Sequence, residues 1–348
     1  MPSVDIVLPE LGRYDATANH TLLIRDLLIA DGVDVRIVVE RQTTREEAVT
    51  LLADWDADAD LVILQHAIGS EAANEVVKRR LPMVVNYHNV TPTEFVEAWD
   101  PQLVSGLRWG RAQLHQLAPL AIRGVADSHY NAAEMRAARF DDVAVVPVLW
   151  QLPEQGQRAS DPIDDGGMVL FVGRLAPNKC PHDLISALAL LLEVRPAATL
   201  VLVGSAASPR YHSSLLSLAD RLGIANRVHF TGSVSEVELI DWYSRADVFC
   251  CASEHEGFCV PIVEAMHHGV PVVAYGAAAV PETVQDAGIL LGDKSPATLA
   301  SAIDTVLSSP QVARTLRSAG HRRALDFRLE ITQNLMRQAL DDLLGARS

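Results

Sequence analysis

The sequence is poor in positive charge and in cysteine, and it lacks a long apolar run. Of its 348 residues, 29 are Lys or Arg and 44 are Asp or Glu, which gives a net charge of −15. Because nucleic-acid backbones require clustered basic side chains, we expect no nucleic-acid partner. No stretch approaches the ~18 apolar residues of a membrane span, and the amino terminus has no signal-peptide pattern. These absences favour a cytoplasmic protein and leave open a peripheral contact with the inner face of a membrane.

The scarce cysteines exclude two further classes of protein. The four cysteines are Cys180, Cys250, Cys251 and Cys259, and no two form a C-x-x-C pair. This spacing does not fit a disulfide framework or a zinc ribbon or finger. Cys250 and Cys251 are neighbours in a predicted strand and must face opposite sides of it. We therefore interpret the cysteines as small buried hydrophobes and expect no metal site.

Two nucleotide-binding fingerprints are also missing. The loop after the first predicted strand contains Gly12 but no G-x-G-x-x-G, which a dinucleotide-binding half normally carries at that point. The G-x-x-x-x-G-K-[ST] pattern of a P-loop does not occur anywhere. A phosphate site, if present, must therefore be built in another way.

Strand-like and helix-like segments alternate in two halves of the chain, which predicts α/β domains with parallel sheets covered by helices on both faces. Residues 1–150 form the first predicted domain, and residues 168–325 form the second. The segment 151–167 is rich in Pro, Gly, Asp and Gln and is predicted to be a linker. Residues 326–348 have helical spacing and either pack on the second domain or return to the first. TREEAVTLLADW, residues 44–55, is predicted to be a helix.

The most informative stretch contains Glu256 and Glu264, separated by seven residues. The apolar runs on either side predict buried strands, and the helix between them should begin near Pro261 and end at Gly269. Backbone N–H groups of residues 257–260 would then lie at a helix N-terminus, which attracts phosphates. Carboxylates accept hydrogen bonds from hydroxyl groups. The pattern favours a binder of a sugar attached to a phosphate over a surface helix with two solvated glutamates.

Polar residues and glycines follow the other strands of the second half. Arg174 and Lys179 come after its first strand, where two cations suit a diphosphate. Gly204 ends the next strand, and Gly232 and Val234 end the third. Backbone groups at these strand ends suit a nucleotide base, and their coincidence at one edge of one sheet predicts a single site.

In the first half, His88 follows the predicted strand LPMVVNYHN. A neutral imidazole at a strand end could exchange a proton or bond a sugar hydroxyl. The alternative is that His88 only satisfies loop backbone groups, and both interpretations stay open.

Two segments, FVGRLAPNKC and SEHEGFCVPIVEAMHHGVPVVA, resemble the signatures of retaining glycosyltransferases of family 4, and the resemblance extends over residues 168–310. It is thinner over residues 1–150. The resemblance implies the GT-B fold, in which two Rossmann-like, doubly wound domains face each other across a cleft. It also implies a nucleotide diphosphate sugar, UDP- or GDP-linked, on the second domain and an acceptor on the first. Neither a cofactor nor a metal ion is implied.

The resemblance also implies roles for individual residues. Arg174 and Lys179 would clamp the diphosphate, Glu264 would bind the ribose, and Glu256 a hydroxyl of the donor sugar. His88 would support the transition state near the anomeric carbon. The implied catalytic residues are His88, Arg174, Lys179 and Glu256. The implied donor-binding residues are Gly12, Ser128, Arg174, Lys179, Gly204, Gly232, Val234, Glu256, Gly257, Phe258, Cys259 and Glu264.

Three positions depart from the family pattern. Gly12 stands alone where the family commonly has a glycine-rich pair, and Cys180 and Cys259 stand where it commonly has glycine. None of these departures removes a candidate catalytic side chain.

The resemblance therefore predicts a retaining, metal-independent hexosyltransferase. It would move a hexosyl group to a hydroxyl of a sugar, a lipid-linked sugar or a small molecule, in polysaccharide or glycoconjugate biosynthesis. The alternatives are a GT-B sugar-nucleotide epimerase and a sugar-nucleotide-binding subunit without turnover. The complete set of candidate side chains argues against the second alternative.

Overall fold

A computed structural model describes most of the chain as two units. The described residues are 1–12, 16–41, 47–151 and 166–345. Of the predicted linker, residues 152–165 lie outside the described residues. The first unit comprises residues 1–93, 102–151 and 327–348, and the second comprises residues 94–101 and 152–326.

The first unit alternates strands and helices and takes its last helix from the end of the chain. Its elements are β1 (Ser3–Leu8), α1 (Ala16–Ala30), β2 (Asp34–Val39), β3 (Thr50–Leu51), β4 (Leu61–His66), α2 (Glu71–Arg79), β5 (Met83–Tyr87), α3 (Pro101–Leu117), β6 (Ala121–Ala126), α4 (His129–Ala137), β7 (Val143–Val145) and α12 (Leu329–Gly345). The described strands pair in parallel in the order β3-β2-β1-β4-β5-β6-β7. Strands β4 and β5 are buried along their whole length, as apolar runs in a covered parallel sheet should be.

The last helix, α12, packs within this first unit. Its Met336 and Leu340 belong to the same buried cluster as Ile24 of α1. Ion pairs flank the apolar contact, with Arg123 bonded to Asp342 at 2.8 Å.

The second unit repeats the alternation. Its elements are β8 (Met168–Val172), α5 (Pro181–Val194), β9 (Thr199–Val203), α6 (Pro209–Arg221), β10 (Val228–Gly232), α7 (Glu236–Arg245), β11 (Val248–Cys251), α8 (Val260–His267), β12 (Val272–Tyr275), α9 (Val280–Val284), β13 (Ile289–Leu291), α10 (Pro296–Ser308) and α11 (Pro310–Ala324). Its described strands are again all parallel, in the order β10-β9-β8-β11-β12-β13. The prediction of parallel α/β sheets is confirmed for both units.

Alternate residues of the second sheet enter two separate apolar cores. Cys250 lies in the cluster that contains α5 and α10, whereas Cys251 lies in the cluster that contains α8. The prediction that these two neighbours face opposite sides is confirmed, because side chains alternate along a strand. All four cysteines are buried and none is in a disulfide.

The predicted helix over residues 44–55 is wrong where the structure describes it. Thr50–Leu51 forms a strand paired with Val38 and Val39, and a 3-10 turn follows at Leu52–Asp54. Trp55 is buried and its Nε1 donates to Asp5 at 2.7 Å. Burial of this indole with a partner outweighs the helical propensity of the segment.

Residues 94–101, placed by the sequence in the first half, pack with the second unit. The ring of Trp99 meets that of Tyr211 edge-on, with centroids 4.9 Å apart. The backbone oxygen of Trp99 also accepts a bond from Ser208 Oγ at 3.3 Å.

In each unit the strand order reverses between two central strands. The reversal lies between β1 and β4 in the first sheet and between β8 and β11 in the second. Ligands of open parallel sheets bind at such a point, outside the carboxyl ends of the strands. Within the described part of the chain, no helix is both long and apolar enough to cross a membrane.

Candidate functional site

The candidate site of the second unit is built from the loops that follow β8 and β11, the two strands at the reversal point. The β8 loop contains Arg174 and Lys179, and the β11 loop contains Glu256. Asn178 joins the two loops. Its side-chain Nδ2 donates to the backbone oxygen of His255 at 3.2 Å, and its backbone oxygen accepts from the backbone N–H of Glu254 at 2.9 Å. The two loops are therefore held in a fixed relation within this unit.

The joined loops bring Lys179 and Glu256 into direct contact. Lys179 Nζ donates to Glu256 Oε2, and the Glu256 side chain is 7% exposed. Burial by itself lowers the pKa of Lys179, but the neighbouring Glu256 carboxylate more than offsets this and the net pKa is raised. The ammonium is therefore charged at neutral pH, and the pair provides a fixed positive and a fixed negative group side by side.

The turn after Glu256 is anchored through its carbonyl groups. The Glu256 oxygen accepts from Ala279 N at 3.3 Å, and the Phe258 oxygen accepts from Thr283 Oγ1 at 2.7 Å. Cys259 then adopts a left-handed conformation, with φ of 74°, and caps α8. Helix α8 begins with Pro261 in its first turn and gives way to Gly269, whose φ is +67°, so the predicted helix and its glycine end are confirmed.

Glu264 lies one turn into α8 and is held by a tyrosine. Tyr243 Oη donates to Glu264 Oε2 at 2.8 Å, and both side chains are buried. The Tyr243 ring stacks on His268, with centroids 5.1 Å apart and planes 10° apart. Burial, and then the Glu264 carboxylate, raises the pKa of Tyr243 well above its usual range, so its hydroxyl stays a donor.

The glycines after β8, β9 and β10 form one backbone network. Gly204 N donates to Gly232 O at 3.0 Å, and Gly173 N donates to Val203 O at 2.9 Å. A β-carbon on Gly204 would lie 2.1 Å from Gly173 O, so only glycine fits there. Two of the predicted donor-binding residues, Gly204 and Gly232, are thus in direct contact.

The remaining predicted residues of the second unit lie at the same sheet edge. The Arg174 side chain is exposed at the end of β8. Val234 is half-buried and packs against the core that contains Ile262 of α8. Their predicted contacts with a donor stay predictions.

Three predicted residues belong to the first unit. His88 follows β5 and its side chain is 6% exposed. Its Nδ1 lies 2.9 Å from Asp127 Oδ2, and its Nε2 lies 2.5 Å from Gln65 Oε1. These partners fix the ring, so His88 does more than satisfy loop backbone groups, although its predicted catalytic role stays a prediction.

Ser128 and Gly12 also lie in the first unit. Ser128 is buried and caps α4, accepting from Asn131 N at 3.0 Å. Gly12 follows β1, next to buried Leu11. A contact of either residue with the donor stays a prediction.

Three groups of ligand-type side chains have atoms within 4.8 Å of one another among the described residues. They are His20 with His88 and Asp127, Cys180 with His182 and Asp183, and Cys251 with Glu256 and Cys259. The carboxylate of each group already has a partner within the protein. Asp127 pairs with His88, Asp183 with Lys294, and Glu256 with Lys179. The expectation of no metal stays a prediction.

The sequence patterns missed the residues that position the site. Asn178, Tyr243 and Thr283 each bond a residue or loop that the sequence analysis had singled out. Asn178 lies between the conspicuous Arg174 and Lys179, which is the one signal that could have drawn attention to it. Nothing in the local pattern distinguishes Tyr243 or Thr283 from ordinary buried residues.

Comparison with known proteins agrees with this geometry. Residues 154–323 match the family model described as Glycosyl transferases group 1. The match contains the two loops that carry Lys179 and Glu256, and also helix α8 with Glu264. This match covers 170 of the 348 residues, so the second unit is similar to the group 1 glycosyl transferases. The resemblance to glycosyltransferase family 4 is thereby confirmed at the level of the family.

Curated relatives that match this chain include enzymes named D-inositol 3-phosphate glycosyltransferase. The protein of Segniliparus rotundus is 32% identical over 168 residues, which is 47% of this chain and 37% of the relative. That of Streptomyces scabiei is 30% identical over 234 residues, which is 63% of this chain and 52% of the relative. The matches thus span about half or less of each of these relatives.

Solved structures resemble the chain over nearly its full length. Sucrose-phosphate synthase from Thermosynechococcus elongatus has a TM-score of 0.79 at 20% identity, covering 99% of this chain and 100% of that one. Anabaena HepE, solved in complex with UDP-glucose, has a TM-score of 0.78 at 20% identity, covering 97% and 99%. These likenesses establish the fold, GT-B with two Rossmann-like domains.

Proposed function

We propose that the chain is a retaining glycosyltransferase that moves a hexosyl group from a UDP- or GDP-linked sugar to a hydroxyl acceptor. The acceptor would be a sugar, a lipid-linked sugar or a small molecule, and the setting the assembly of a polysaccharide or glycoconjugate. The observation that carries the proposal is the contact of Lys179 with Glu256 at the reversal point of the second sheet.

Lys179 has the chemistry to hold a diphosphate while remaining bonded to Glu256. An ammonium has three N–H donors, and one is used by Glu256, which leaves two for phosphate oxygens. Arg174 adds a guanidinium at the end of β8. Two cations at a leaving phosphate stabilise the charge that develops as the glycosidic bond breaks. The proposal therefore assigns this task to protein groups and requires no metal ion.

The two glutamates are proposed to recognise hydroxyl groups. Glu256 would accept from a hydroxyl of the donor sugar through the carboxylate oxygen that Lys179 leaves open. Glu264 would accept from the ribose while Tyr243 holds its other oxygen. Backbone groups of Gly257, Phe258 and Cys259, at the start of α8, would lie near the sugar and phosphate.

The reaction is proposed to proceed on one face of the sugar. The bond from the anomeric carbon to the phosphate oxygen breaks, and the acceptor oxygen bonds to the anomeric carbon on the same face. The acceptor proton passes to the leaving phosphate, so that the products are the glycoside and the nucleoside diphosphate. No carboxylate nucleophile is needed, unlike in retaining glycosidases. The role of His88, to support the transition state, rests on the family resemblance and on its orientation by Asp127.

The names of the related proteins favour UDP as the first nucleotide to test. The structure of HepE contains UDP-glucose, and the other similar chain is a sucrose-phosphate synthase. UDP-glucose is a sugar joined to a nucleotide through a diphosphate, which is the chemistry that the Lys179 and Glu256 pair suits.

A nucleotide screen followed by product analysis tests the proposal. UDP or GDP should raise the thermal unfolding midpoint by mass action, and the corresponding sugar nucleotide should glycosylate an acceptor with retained configuration. Transfer should continue in the presence of a chelator. Lys179→Ala should weaken nucleotide binding at least tenfold and slow transfer, whereas the exposed Lys78→Ala should not. Conversion of the sugar nucleotide without any acceptor would instead indicate an epimerase, and the absence of both nucleotide binding and transfer would overturn the proposal.

A further inference from the structure

Two buried thiols lie against the candidate site, and neither has a part in the proposed reaction. Cys251 ends β11 and Cys259 caps α8, and their sulfur atoms are 4.0 Å apart. Cys251 is 2% exposed and Cys259 is 9% exposed. The seven residues between them include Glu256, so the two thiols close a small loop around the residue that pairs with Lys179.

The separation of the thiols is close to what a covalent bond requires. A disulfide needs its sulfur atoms at about 2.05 Å, so each sulfur atom would have to move by roughly 1 Å. Cys250 cannot take part, because it lies on the opposite face of the same strand and in a different core. Only Cys251 and Cys259 are therefore paired by the geometry of the sheet.

The surroundings shift the pKa values of the two thiols in opposite directions. The hydrogen bond from Cys259 lowers the pKa of Cys251, against the opposing effect of burial, and Ser253 Oγ lies 3.3 Å from the Cys251 sulfur. The same bond, together with burial, raises the pKa of Cys259 well above its usual range, although the charge of Lys179 opposes this rise. A lower pKa increases the thiolate fraction of Cys251, and the thiolate is the reactive form of cysteine.

The backbone at Cys259 gives a second, independent reason to look for a role. Its φ is 74°, a left-handed conformation in which a β-carbon is strained and glycine is not. Cys259 therefore brings a thiol at a backbone cost that glycine would not incur.

We propose that Cys251 and Cys259 are a site of reversible oxidation, where a hydroperoxide converts the two thiols into a disulfide and weakens nucleotide binding. The second half of this statement rests on the proposed function. Closing the bond would shift the backbone of Cys259 and its neighbours at the start of α8. Those are the groups assigned to the donor phosphate and sugar.

The oxidation balances in two steps. The Cys251 thiolate attacks one peroxide oxygen, which gives a sulfenic acid on Cys251 and releases an alcohol, or water if the oxidant is hydrogen peroxide. The Cys259 sulfur then attacks the Cys251 sulfur, the S–S bond forms and water leaves. Two electrons pass from the two sulfur atoms to the O–O bond, and a dithiol reductant reverses the reaction.

Metal binding at the same thiols is less favoured by the structure. A divalent ion would need Glu256 as its third protein ligand, and that carboxylate is paired with the Lys179 ammonium. The ion would have to displace this cation or lie beside it. Oxidation needs neither change.

To test the proposal, the unsubstituted protein is treated with hydrogen peroxide and its peptides are mapped by mass spectrometry without prior reduction. A Cys251–Cys259 cross-link with the loss of two hydrogen atoms is expected. The affinity for UDP or GDP, from nucleotide-dependent thermal shifts, should fall at least fivefold and return with dithiothreitol. Cys251→Ser should abolish both the cross-link and the response, whereas Cys250→Ser, its neighbour on the opposite face, should keep both.

The outcomes separate this inference from the proposed function. Absence of the cross-link in the unsubstituted protein, or a cross-link with unchanged nucleotide affinity, would overturn the proposal. If the reduced protein binds no nucleotide and yet forms the cross-link, the oxidation site stands and the proposed function fails.

Discussion

The properties of single side chains at this site depend on a few neighbours. Lys179 and Glu256 neutralise each other in a setting where either one alone would be costly to bury. Glu264 differs, because its carboxylate accepts a hydrogen bond from the neutral hydroxyl of Tyr243. The two glutamates therefore differ in character although they belong to one motif. This difference fits the separate partners proposed for them, the donor sugar and the ribose.

Removal of the Tyr243 hydroxyl should weaken nucleotide binding. Tyr243→Phe keeps the buried ring but leaves Glu264 Oε2 without this donor, and a bond to a charged group contributes about 1.5–3 kcal/mol. We expect UDP or GDP affinity to fall about tenfold, equivalent to about 1.4 kcal/mol. Isothermal titration calorimetry would measure the change.

Tyr211→Phe is the matched control for this substitution. Tyr211 is equally buried in the same unit, but its hydroxyl contacts His182 Nδ1 at 2.7 Å and no residue assigned to the donor. Nucleotide affinity should stay within about twofold for Tyr211→Phe. Equal losses in the two variants would show that Tyr243 acts through general stability and not by positioning Glu264.

At the scale of elements, sequence patterns predicted what depends on local chemistry. Pro261 and Gly269 marked the two ends of α8 because a helix tolerates proline in its first turn and favours glycine after its last. Apolar runs marked the buried strands on either side. These features follow from the backbone conformation of a few successive residues, which the sequence specifies directly.

Features that depend on distant partners were not predictable in this way. The segment at Thr50 and Leu51 became an edge strand because β2 offers it a partner and Trp55 is buried against Asp5. Likewise, the contact of Lys179 with Glu256 spans 77 residues and requires Asn178 to join two loops. No pattern within a short window contains that information, so the sequence predicted candidate residues but did not predict their pairing.

Helix α9 provides a further prediction at this scale, because it anchors the turn after Glu256. Thr283 is buried and donates to Phe258 O, while its own backbone oxygen accepts from Arg323 Nε at 3.1 Å. Thr283→Val should remove the hydroxyl donor to the Phe258 oxygen, lower stability by about 1 kcal/mol and weaken nucleotide binding severalfold. Thermal unfolding and calorimetry would record both effects.

Thr283→Ser is the control for this substitution, because serine keeps the hydroxyl and should retain the nucleotide affinity. A loss of affinity in the serine variant as large as in the valine variant would contradict the anchoring role.

For the whole molecule, stability should depend on pH through buried histidines more than through the excess of acidic groups. His66 is fully buried, its Nε2 contacts Gly110 O at 2.9 Å, and burial lowers its pKa to about 4. His268 is buried against Tyr243, and burial, followed by the neighbouring His267 and His321, lowers its pKa to about 4 as well. Between pH 6.5 and 4 the unfolded chain therefore binds more protons than the folded chain at both positions. Stability must fall as the pH is lowered through this window.

His66 allows this dependence to be measured at one position. The pKa of His66 is about 4 in the folded protein and about 6.5 in the unfolded chain. His66 alone should therefore lower the free energy of unfolding by about 2 kcal/mol between pH 7.5 and pH 5. His66→Gln should be less stable than the unsubstituted protein at pH 7.5, because it loses a packed ring. At pH 5 the difference in free energy of unfolding between the variant and the unsubstituted protein should be smaller by about 2 kcal/mol, because glutamine does not titrate. Urea unfolding at several pH values would measure it, with the exposed His115→Gln as the control whose pH dependence stays unchanged. A difference that stays constant from pH 7.5 to pH 5 would mean that the buried imidazole does not control the acid stability of the protein.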